Sequence, residues 1–344
     1  MLKRILAAVF AVLMIFAVGC DNDVVYDDLS NYESQPPVIE NEAPKLNVNP
    51  LTGVAEFENT SKANQRPVAI MVNNVDIAQS RQTGLSDADI IYETEVEGGI
   101  TRLMAVYQDI SDLDKIGTVR SARYPYVDLA LGHNAVYIHC GQDPTYCAPH
   151  LKDIDDISID TNSKGAKRIA NGLSSEHTLY ALADDLWSDI NDKFNTKVSS
   201  VAPWVNFTDE ALTLDGGAAT SVKIPFPAMT TNFTYDPASG LYTRLAGGTV
   251  LTDYYSGETT QVKNVFILLT SISNYPDGKH RKVALQSGDG YYITNGTVQF
   301  IKWEKGASTN GFKFTDGNGN EIKVNAGNSW VCIANKSSCN PTIQ

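Results

Sequence analysis

Residues 89–107 read Asp-Ile-Ile-Tyr-Glu-Thr-Glu-Val-Glu-Gly-Gly-Ile-Thr-Arg-Leu-Met-Ala-Val-Tyr. Two apolar runs flank the glycine pair at positions 98 and 99, and glycine readily adopts the positive φ that tight turns need. The pattern therefore predicts a β-hairpin with a two-residue turn, in which Glu95 lies opposite Arg102. Because side chains alternate between the two faces of a strand, one face is predicted to carry Glu93, Glu95, Glu97 and Arg102.

The sequence on either side of residue 120 continues this predicted sheet. Residues 116–121 predict a strand that delivers Arg120 and Arg123 near its end. A short helix is predicted over 125–131, followed by a strand over 135–139 that ends at His139. Ligand sites of α/β sheets commonly lie at strand ends, although a hydrogen-bonded core histidine explains His139 equally well.

Charged side chains recur within these apolar runs, where a plain core would carry none. Arginines clustered on adjoining strands suit recognition of phosphate or carboxylate. We therefore expect a polar cleft in this part of the chain, formed by Glu93, Glu97, Arg102, Arg120 and Arg123. Cross-strand ion pairing on a solvated face is the alternative, and it would contribute less than about 1 kcal/mol per pair.

Composition sets broad limits on the class of protein. The chain has 344 residues, of which 42% are hydrophobic and 19% charged, which is typical of a globular chain with about two domains. Its net charge of −13 argues against nucleic acid as a partner. No sequence motif indicates a cofactor or a metal site.

The N-terminus carries the features of an export signal. Lys3 and Arg4 precede an apolar run over residues 5–18, which is too short for a typical membrane span, and Ala-Val-Gly-Cys20 ends it. This junction resembles a bacterial lipobox, whose cysteine becomes the lipidated N-terminus. Residues 1–20 are thus predicted to be a lipoprotein signal peptide, and a lipid on Cys20 would hold the chain at the extracytoplasmic face of the cell membrane. An ordinary signal peptide with a chance cysteine is the alternative.

The remaining chain divides by composition into three parts. Residues 21–61 are acidic and proline-rich, which predicts a disordered tether. Residues 62–202 predict an α+β or α/β N-terminal domain with a mixed sheet, including a helix over 178–194 whose first turn adjoins His177 and contains Tyr180. Residues 203–344 alternate short β-rich runs with turn signals, which predicts a mostly antiparallel β C-terminal domain.

Four cysteines follow Cys20, and they are spaced as two short pairs. Equal spacing and an exported location favour disulfides that join Cys140 to Cys147 and Cys332 to Cys339. Four free thiols are the alternative. Neither pair has the Cys-x-x-Cys spacing of a typical zinc site.

Several of these motifs together resemble the YerB-like lipoprotein family of Gram-positive bacteria, a two-part domain of unknown function. The resemblance rests on Gly84-Leu-Ser-Asp-Ala-Asp-Ile-Ile-Tyr-Glu, Glu97-Gly-Gly-Ile-Thr-Arg, Ile116-Gly-Thr-Val-Arg-Ser-Ala-Arg and Gly327-Asn-Ser-Trp-Val, and it covers about residues 64–335. It implies an architecture and a site location but no established reaction. The positions it singles out are Glu93, Glu97, Gly98, Gly99, Arg102, Arg120, Ser121, Arg123, Asp128, His139, His177 and Tyr180.

Three functions are compatible with these observations. A binding or accessory module of the cell envelope needs no catalytic set, and its partner would be an envelope polymer or an envelope protein. An envelope hydrolase or transferase acting on a glycan or a phosphate-linked polymer would use the mixed carboxylates and arginines. An extracytoplasmic solute-binding protein is the third, although the β-rich C-terminal half does not resemble a second copy of the first half. We favour the binding module, because no nucleophile motif or phosphate loop is present.

Overall fold

The computed structural model describes residues 45–160 and 162–344, so the predicted signal peptide and most of the predicted tether lie outside the described residues. The helices in this part are short. They comprise α1 (Thr60–Ala63), α2 (Asp76–Gln79), α3 (Tyr124–Gly132), α4 (Ala148–Leu151) and α5 (Ala183–Lys193), with 3₁₀ turns at Leu85–Asp87, Glu97–Gly99 and Ser175–His177.

Strands make up most of the described chain. Those before residue 200 are β1 (Asn47–Val48), β2 (Ala55–Phe57), β3 (Val68–Asn73), β4 (Ile90–Glu95), β5 (Thr101–Tyr107), β6 (Lys115–Gly117), β7 (Val136–His139), β8 (Asp156–Ser158), β9 (Ala166–Arg168) and β10 (Leu179–Leu182). Those after it are β11 (Phe207–Thr208), β12 (Ser221–Pro225), β13 (Thr230–Asp236), β14 (Leu241–Ala246), β15 (Thr249–Val250), β16 (Gln261–Val262), β17 (Asn264–Thr270), β18 (Ile272–Asn274), β19 (Arg281–Val283), β20 (Ser287–Thr294), β21 (Thr297–Glu304), β22 (Lys313–Thr315), β23 (Val324–Asn325), β24 (Ser329–Asn335) and β25 (Thr342–Ile343).

A ten-stranded sheet forms the centre of the fold, with the order β22-β21-β20-β17-β24-β4-β5-β3-β7-β8. Its N-terminal strands are mixed, since β4 and β3 each pair antiparallel with β5 while β3, β7 and β8 are parallel. Its C-terminal strands β17, β20, β21 and β22 are antiparallel. The predicted mixed sheet and the mostly antiparallel β-rich part are thus confirmed.

The two predicted domains contribute strands to this same sheet. β24 pairs in parallel with β17 on one side and with β4 on the other. Both β3 and β4 are buried along their whole length, which explains the nearly continuous apolar run of β3, whereas β4 buries Glu93, Thr94 and Glu95 as well. The functional cleft described below therefore draws side chains from both halves of the chain.

Each face of the ten-stranded sheet is covered by a hydrophobic core. On one face, Val72 and Leu103 pack with Ile190 of α5 and with Phe233 and Tyr242 of the smaller sheet formed by β12 to β16 and β25. On the other face, α3 and the segments that carry Trp204 and Phe314 complete a second core. We call these the α5 face and the α3 face.

The central hairpin differs from the predicted one by a single residue. Its loop has three residues, Glu97–Gly99, in which both glycines have positive φ. Thr94 therefore pairs with Arg102, and Glu93 pairs with Leu103. A one-residue shift moves every side chain of a strand to the opposite face, so the prediction that Arg102 shares a face with Glu93 and Glu95 is wrong. Glu93 lies on the α5 face of the sheet.

The helix predicted over residues 178–194 begins later than expected. Leu179–Leu182 forms β10, which pairs with both β6 and β9, and α5 starts at Ala183. A short apolar run cannot be assigned to helix or strand from its spacing alone, and here two neighbouring strands supply its hydrogen bonds. Leu186 and Ile190 do form the buried stripe of the helix.

Residues 45–61, which the sequence assigns to the tether, belong to the folded unit. β1 and β2 pair with each other, and Leu51 between them is 1% exposed within the second core. The Trp204 indole donates a hydrogen bond to the Leu51 carbonyl at 2.7 Å.

Candidate functional site

A polar cleft lies beside the loop of the central hairpin, with Glu97 at its centre. Arg123, the residue before α3, donates from Nε to Glu97 Oε1, and Arg102 Nη2 lies 3.9 Å from Glu97 Oε2. His280 Nε2 approaches from the β18–β19 hairpin, at 3.2 Å from Glu97 Oε1 and 3.3 Å from Asp143 Oδ1. Four separate segments thus meet around one carboxylate.

The charges of this cluster alter the acidity of its members. Partial burial opposes ionisation of Glu97, but the hydrogen bond and charge of Arg123 and the charge of Arg102 lower the pKa of its carboxyl below the ordinary value. Burial lowers the pKa of the Arg102 guanidinium to about 10, with the neighbouring Arg123 and Arg120 charges acting in the same direction. The three arginines are therefore close enough to repel one another.

A second carboxylate, Glu95, lies next to the cleft and behaves differently. Burial raises the pKa of Glu95, and Arg281, whose Nε lies 3.5 Å from its Oε2, opposes that rise. Glu95 and Glu97 both line a small cavity of about 10 Å³ between the hairpin loop and the β18–β19 hairpin, which is about the volume that one water molecule needs.

Outside this cavity the cleft widens into an open groove of about 680 Å³. Its charged lining consists of three cations, Arg123, Lys279 and Arg281, and one carboxylate, Glu97, while Glu95, Asp143 and Asp277 contact Arg281 and His280 from outside the lining. The Lys279 side chain is exposed and makes no hydrogen bond or ion pair in the part of the chain that the structure describes.

Stacked aromatic rings line the small cavity beside the groove. Tyr146 and Tyr275 are stacked with their centroids 3.9 Å apart, and the His280 ring lies 5.5 Å from that of Tyr146. The stack joins the segment after β7 to the β18–β19 hairpin, and it therefore positions the hairpin that carries His280.

The cleft does not contain Glu93, although the sequence places it there. Glu93 is 0% exposed and lies between the ten-stranded sheet and the smaller sheet. Its Oε1 accepts hydrogen bonds from Asn74, Thr101 and Thr231 at 2.8 to 3.0 Å, and its Oε2 accepts one from Trp330 Nε1 at 2.9 Å. The prediction fails here because of the one-residue shift in register.

Arg120 and Ser121 lie at the edge of the cleft. Arg120 donates to the main-chain and side-chain oxygens of Glu176 at 2.8 and 3.3 Å, rather than to Glu97. Ser121 contributes its carbonyl, which accepts from Arg102 Nη1 at 2.6 Å. Ser121 therefore helps to hold Arg102 in the cluster, whereas Arg120 is held by Glu176.

The other predicted site residues belong to separate networks. His139 is fully buried between the Gly141 carbonyl and Asp156, and His177 lies 2.8 Å from the Asn73 amide. Tyr180 donates to the Arg81 carbonyl at 3.0 Å. Asp128 is on α3, where burial raises the pKa of its carboxyl against the opposing charge of Lys305.

The four cysteines among the described residues are free thiols, which contradicts both predicted disulfides. Cys140 packs against the core on the α5 face, whereas Cys147 belongs to the core on the α3 face. Cys332 and Cys339 share one core, but the Cys332 thiol is directed to Glu93 Oε2 at 3.7 Å.

Several cleft residues were not predicted from the sequence. Asp143, Tyr275, Lys279, His280 and Arg281 come from loops whose composition resembles an ordinary turn. The one available signal is Tyr275-Pro-Asp-Gly-Lys-His-Arg281, a hairpin turn followed directly by three basic residues. The cleft partners of His280 and Arg281 lie more than 130 positions earlier, and spacing alone cannot reveal such pairing.

The described residues contain neither a metal-binding cluster nor a helix suited to cross a membrane. Across residues 45–160 and 162–344, no group of three or more histidine, cysteine, aspartate or glutamate side chains is arranged to hold a metal ion. None of the helices in this part combines the length and the apolar character that crossing a membrane requires.

Comparison with known proteins identifies the family. Residues 51–198 match the model described as the N-terminal domain of a protein of unknown function (DUF3048), and residues 222–331 match its C-terminal domain. The chain belongs to the DUF3048 family. Both parts occur in the order that the resemblance implied, so that prediction is confirmed.

Two comparisons with YerB of Bacillus subtilis are informative. The protein of strain 168 named "Putative lipoprotein YerB" is 27% identical over 310 residues, which cover 87% of this chain and 89% of that protein. The crystal structure of YerB from B. subtilis superposes with a TM-score of 0.73 at 26% identity, covering 86% of this chain and 99% of that one. This chain and YerB are thus similar along nearly their whole length, and the family description gives no activity.

Proposed function

We propose that this DUF3048 chain is a binding module of the cell envelope, held at the extracytoplasmic face of the membrane by a lipid on Cys20. The relative named as a lipoprotein and the Ala-Val-Gly-Cys20 junction support the anchor. The polar cleft around Glu97 would be the binding site, and its ligand would be an anionic group of an envelope polymer or envelope protein.

The cations on the surface of the open groove are the observation that carries this proposal, above all Lys279, whose side chain is exposed and has no carboxylate partner among the described residues. Arg123, Lys279 and Arg281 line it against the single carboxylate of Glu97. The whole chain is acidic, at −13, so a groove that presents three cations on its surface differs from the rest of the molecule. Arginine donors arranged in this way suit a phosphate or a carboxylate, which accept paired hydrogen bonds.

Co-sedimentation with purified cell walls tests this binding. We expect the full-length protein in detergent to pellet with walls that retain their phosphate-linked polymers, and to remain in solution with walls from which acid treatment has removed them. Arg281→Gln should weaken pelleting, whereas Lys302→Gln, an exposed lysine on β21 paired with Asp289, should not. Equal pelleting with both kinds of wall would contradict an anionic ligand.

An envelope hydrolase or transferase is the second candidate, and one observation favours it. Glu95 and Glu97 line the same cavity, with the pKa of the first raised and that of the second lowered. Carboxylate pairs with divided pKa values act as acid and base in many glycosidases. Release of soluble fragments from purified walls by the wild type, and not by Glu95→Gln, would support catalysis. No release by the wild type would contradict it.

A further inference from the structure

A second groove lies between α2 and the smaller sheet. Its volume is about 860 Å³, within the usual range for ligand sites. α2 forms one wall, the β12–β13 turn forms the floor, and the β14–β15 hairpin with the following loop forms the other wall. We call it the α2 groove. It shares no lining residue with the cleft around Glu97.

The α2 groove has little charge but many hydrogen-bonding groups. Asp76 is its one exposed charged residue, because the Asp253 carboxylate is buried and accepts hydrogen bonds from Thr83 Oγ1 and the Gly84 amide at 2.9 and 2.6 Å. The rest of the polar lining consists of short neutral side chains, namely Gln79, Ser80, Thr230, Asn232, Thr249 and Thr252. An anionic polymer would find no cation in this lining.

The far wall of the groove presents main chain instead of side chains. Gly247 and Gly248 form the tip of the β14–β15 hairpin with φ of +54° and +85°, and a Cβ added at either would meet no atom within 4 Å. Gly257 faces the same open space. Exposed amide and carbonyl groups of this kind offer both donors and acceptors to a ligand.

Apolar surface completes the α2 groove. Tyr254 and Val250 line it and are 39% and 44% exposed, which is unusual for large hydrophobic side chains. The Arg81 guanidinium lies 5.0 Å from the centre of the Tyr254 ring and holds the ring in place. A flat ring beside a row of hydroxyl and amide groups matches a ligand with an apolar face and a hydroxylated edge.

We propose that the α2 groove binds an uncharged oligosaccharide. A pyranose ring has C–H groups on its faces, which suit Tyr254 and Val250, and hydroxyl groups on its rim. These hydroxyls both donate and accept, as do the side chains of Asn232, Thr230 and Thr252. The Asp76 carboxylate accepts only, and it would take hydrogen bonds from two adjacent hydroxyls. This site is independent of the anionic site in the cleft.

Calorimetric titration of the full-length protein in detergent tests the saccharide site. The probes are a neutral tetramer of N-acetylglucosamine, an anionic tetramer of galacturonate and a tetra-alanine peptide. We expect binding of the neutral tetramer alone. Tyr254→Ala should weaken it at least about tenfold, the loss of one good contact. Phe300→Ala removes an equally exposed aromatic residue from β21 and should leave the affinity unchanged.

A second variant distinguishes a loss of binding from a loss of folding. Thr249→Trp adds bulk at an exposed position of the groove wall without removing a core contact, so it should abolish binding while the melting temperature stays at the wild-type value. Lys279→Gln in the cleft should not affect the neutral tetramer, which separates this site from the anionic one. Absence of binding, preference for the anionic or peptide probe, or unchanged affinity in both groove variants would overturn the proposal.

Discussion

Replacement of Glu93 by glutamine is predicted to destabilise the protein strongly without changing its shape. Glutamine retains one acceptor oxygen, but its amide nitrogen cannot accept. If that nitrogen replaces Oε2, the buried Trp330 N–H loses its partner, which costs about 1 to 3 kcal/mol. Buried Arg244, whose guanidinium faces Glu93 and stacks on the Trp330 ring at 5.4 Å, also loses its opposing charge.

Together these losses resemble the removal of one partner from a buried ion pair, which costs about 3 to 5 kcal/mol. We therefore expect Glu93→Gln to lower the free energy of unfolding by about 4 kcal/mol, a large share of the roughly 5 to 15 kcal/mol of a typical domain. Urea unfolding followed by tryptophan fluorescence measures this change, with an unaltered slope. Glu304→Gln, at an exposed position on β21, should change it by less than about 0.5 kcal/mol. A loss below about 1 kcal/mol for Glu93→Gln would refute the description of Glu93 as the buried link between the two sheets.

Three further predictions concern other parts of the molecule. Burial lowers the pKa of Lys305 to about 8 in the folded state, so the folded protein binds fewer protons than the unfolded chain between pH 8 and 10.5. The free energy of unfolding should therefore rise across that range by up to about 3 kcal/mol relative to Lys305→Met. Urea unfolding at each pH measures this rise, and parallel profiles for the two proteins would contradict it. Burial raises the pKa of Cys147 to about 12 and that of Cys339 to about 11. Maleimide should therefore label Cys140 first in the native protein and all four of these thiols after unfolding. Bridged peptides in a non-reducing map would show that the thiols are not free. Cys20→Ala should move the protein from the membrane fraction to the medium or leave it unprocessed, and unchanged anchoring on fractionation would exclude lipidation at Cys20.

The sequence predicted the class of fold because its strongest signals are local. Buried strands such as β3 and β4 appear as apolar runs, and the glycine pair marks the hairpin. The register was missed because Glu97 joins both glycines in the loop. A Cβ on Gly99 would lie 2.8 Å from Pro227, so a contact 128 positions away shapes this turn.

The candidate site was predicted only in part, for a related reason. Glu97, Arg102 and Arg123 are close in the chain, and local reasoning brought them together. His280 and Arg281 reach the same cleft from the β18–β19 hairpin, and nothing in the intervening sequence indicates that meeting. The short cysteine spacing was misleading because Cys140 and Cys147 lie on opposite faces of one sheet, which only the three-dimensional path of the chain determines.

The affinity of the cleft for a defined anion, measured together with stability, tests the proposed function most directly. The probe is a linear polyol phosphate, titrated into the full-length wild type, Lys279→Gln and Arg123→Ala, with thermal melts of each. Loss of one charge-assisted contact should raise the dissociation constant about tenfold in each variant. Lys279→Gln should keep the wild-type melting temperature because that side chain is exposed. Arg123→Ala should lower the free energy of unfolding by no more than about 1 kcal/mol, because Glu97 is partly exposed and keeps Arg102 nearby. Unchanged affinity in both variants, with a large fall in the melting temperature of Arg123→Ala, would show that the cluster is a structural ion-pair network and contradict its role as a binding site.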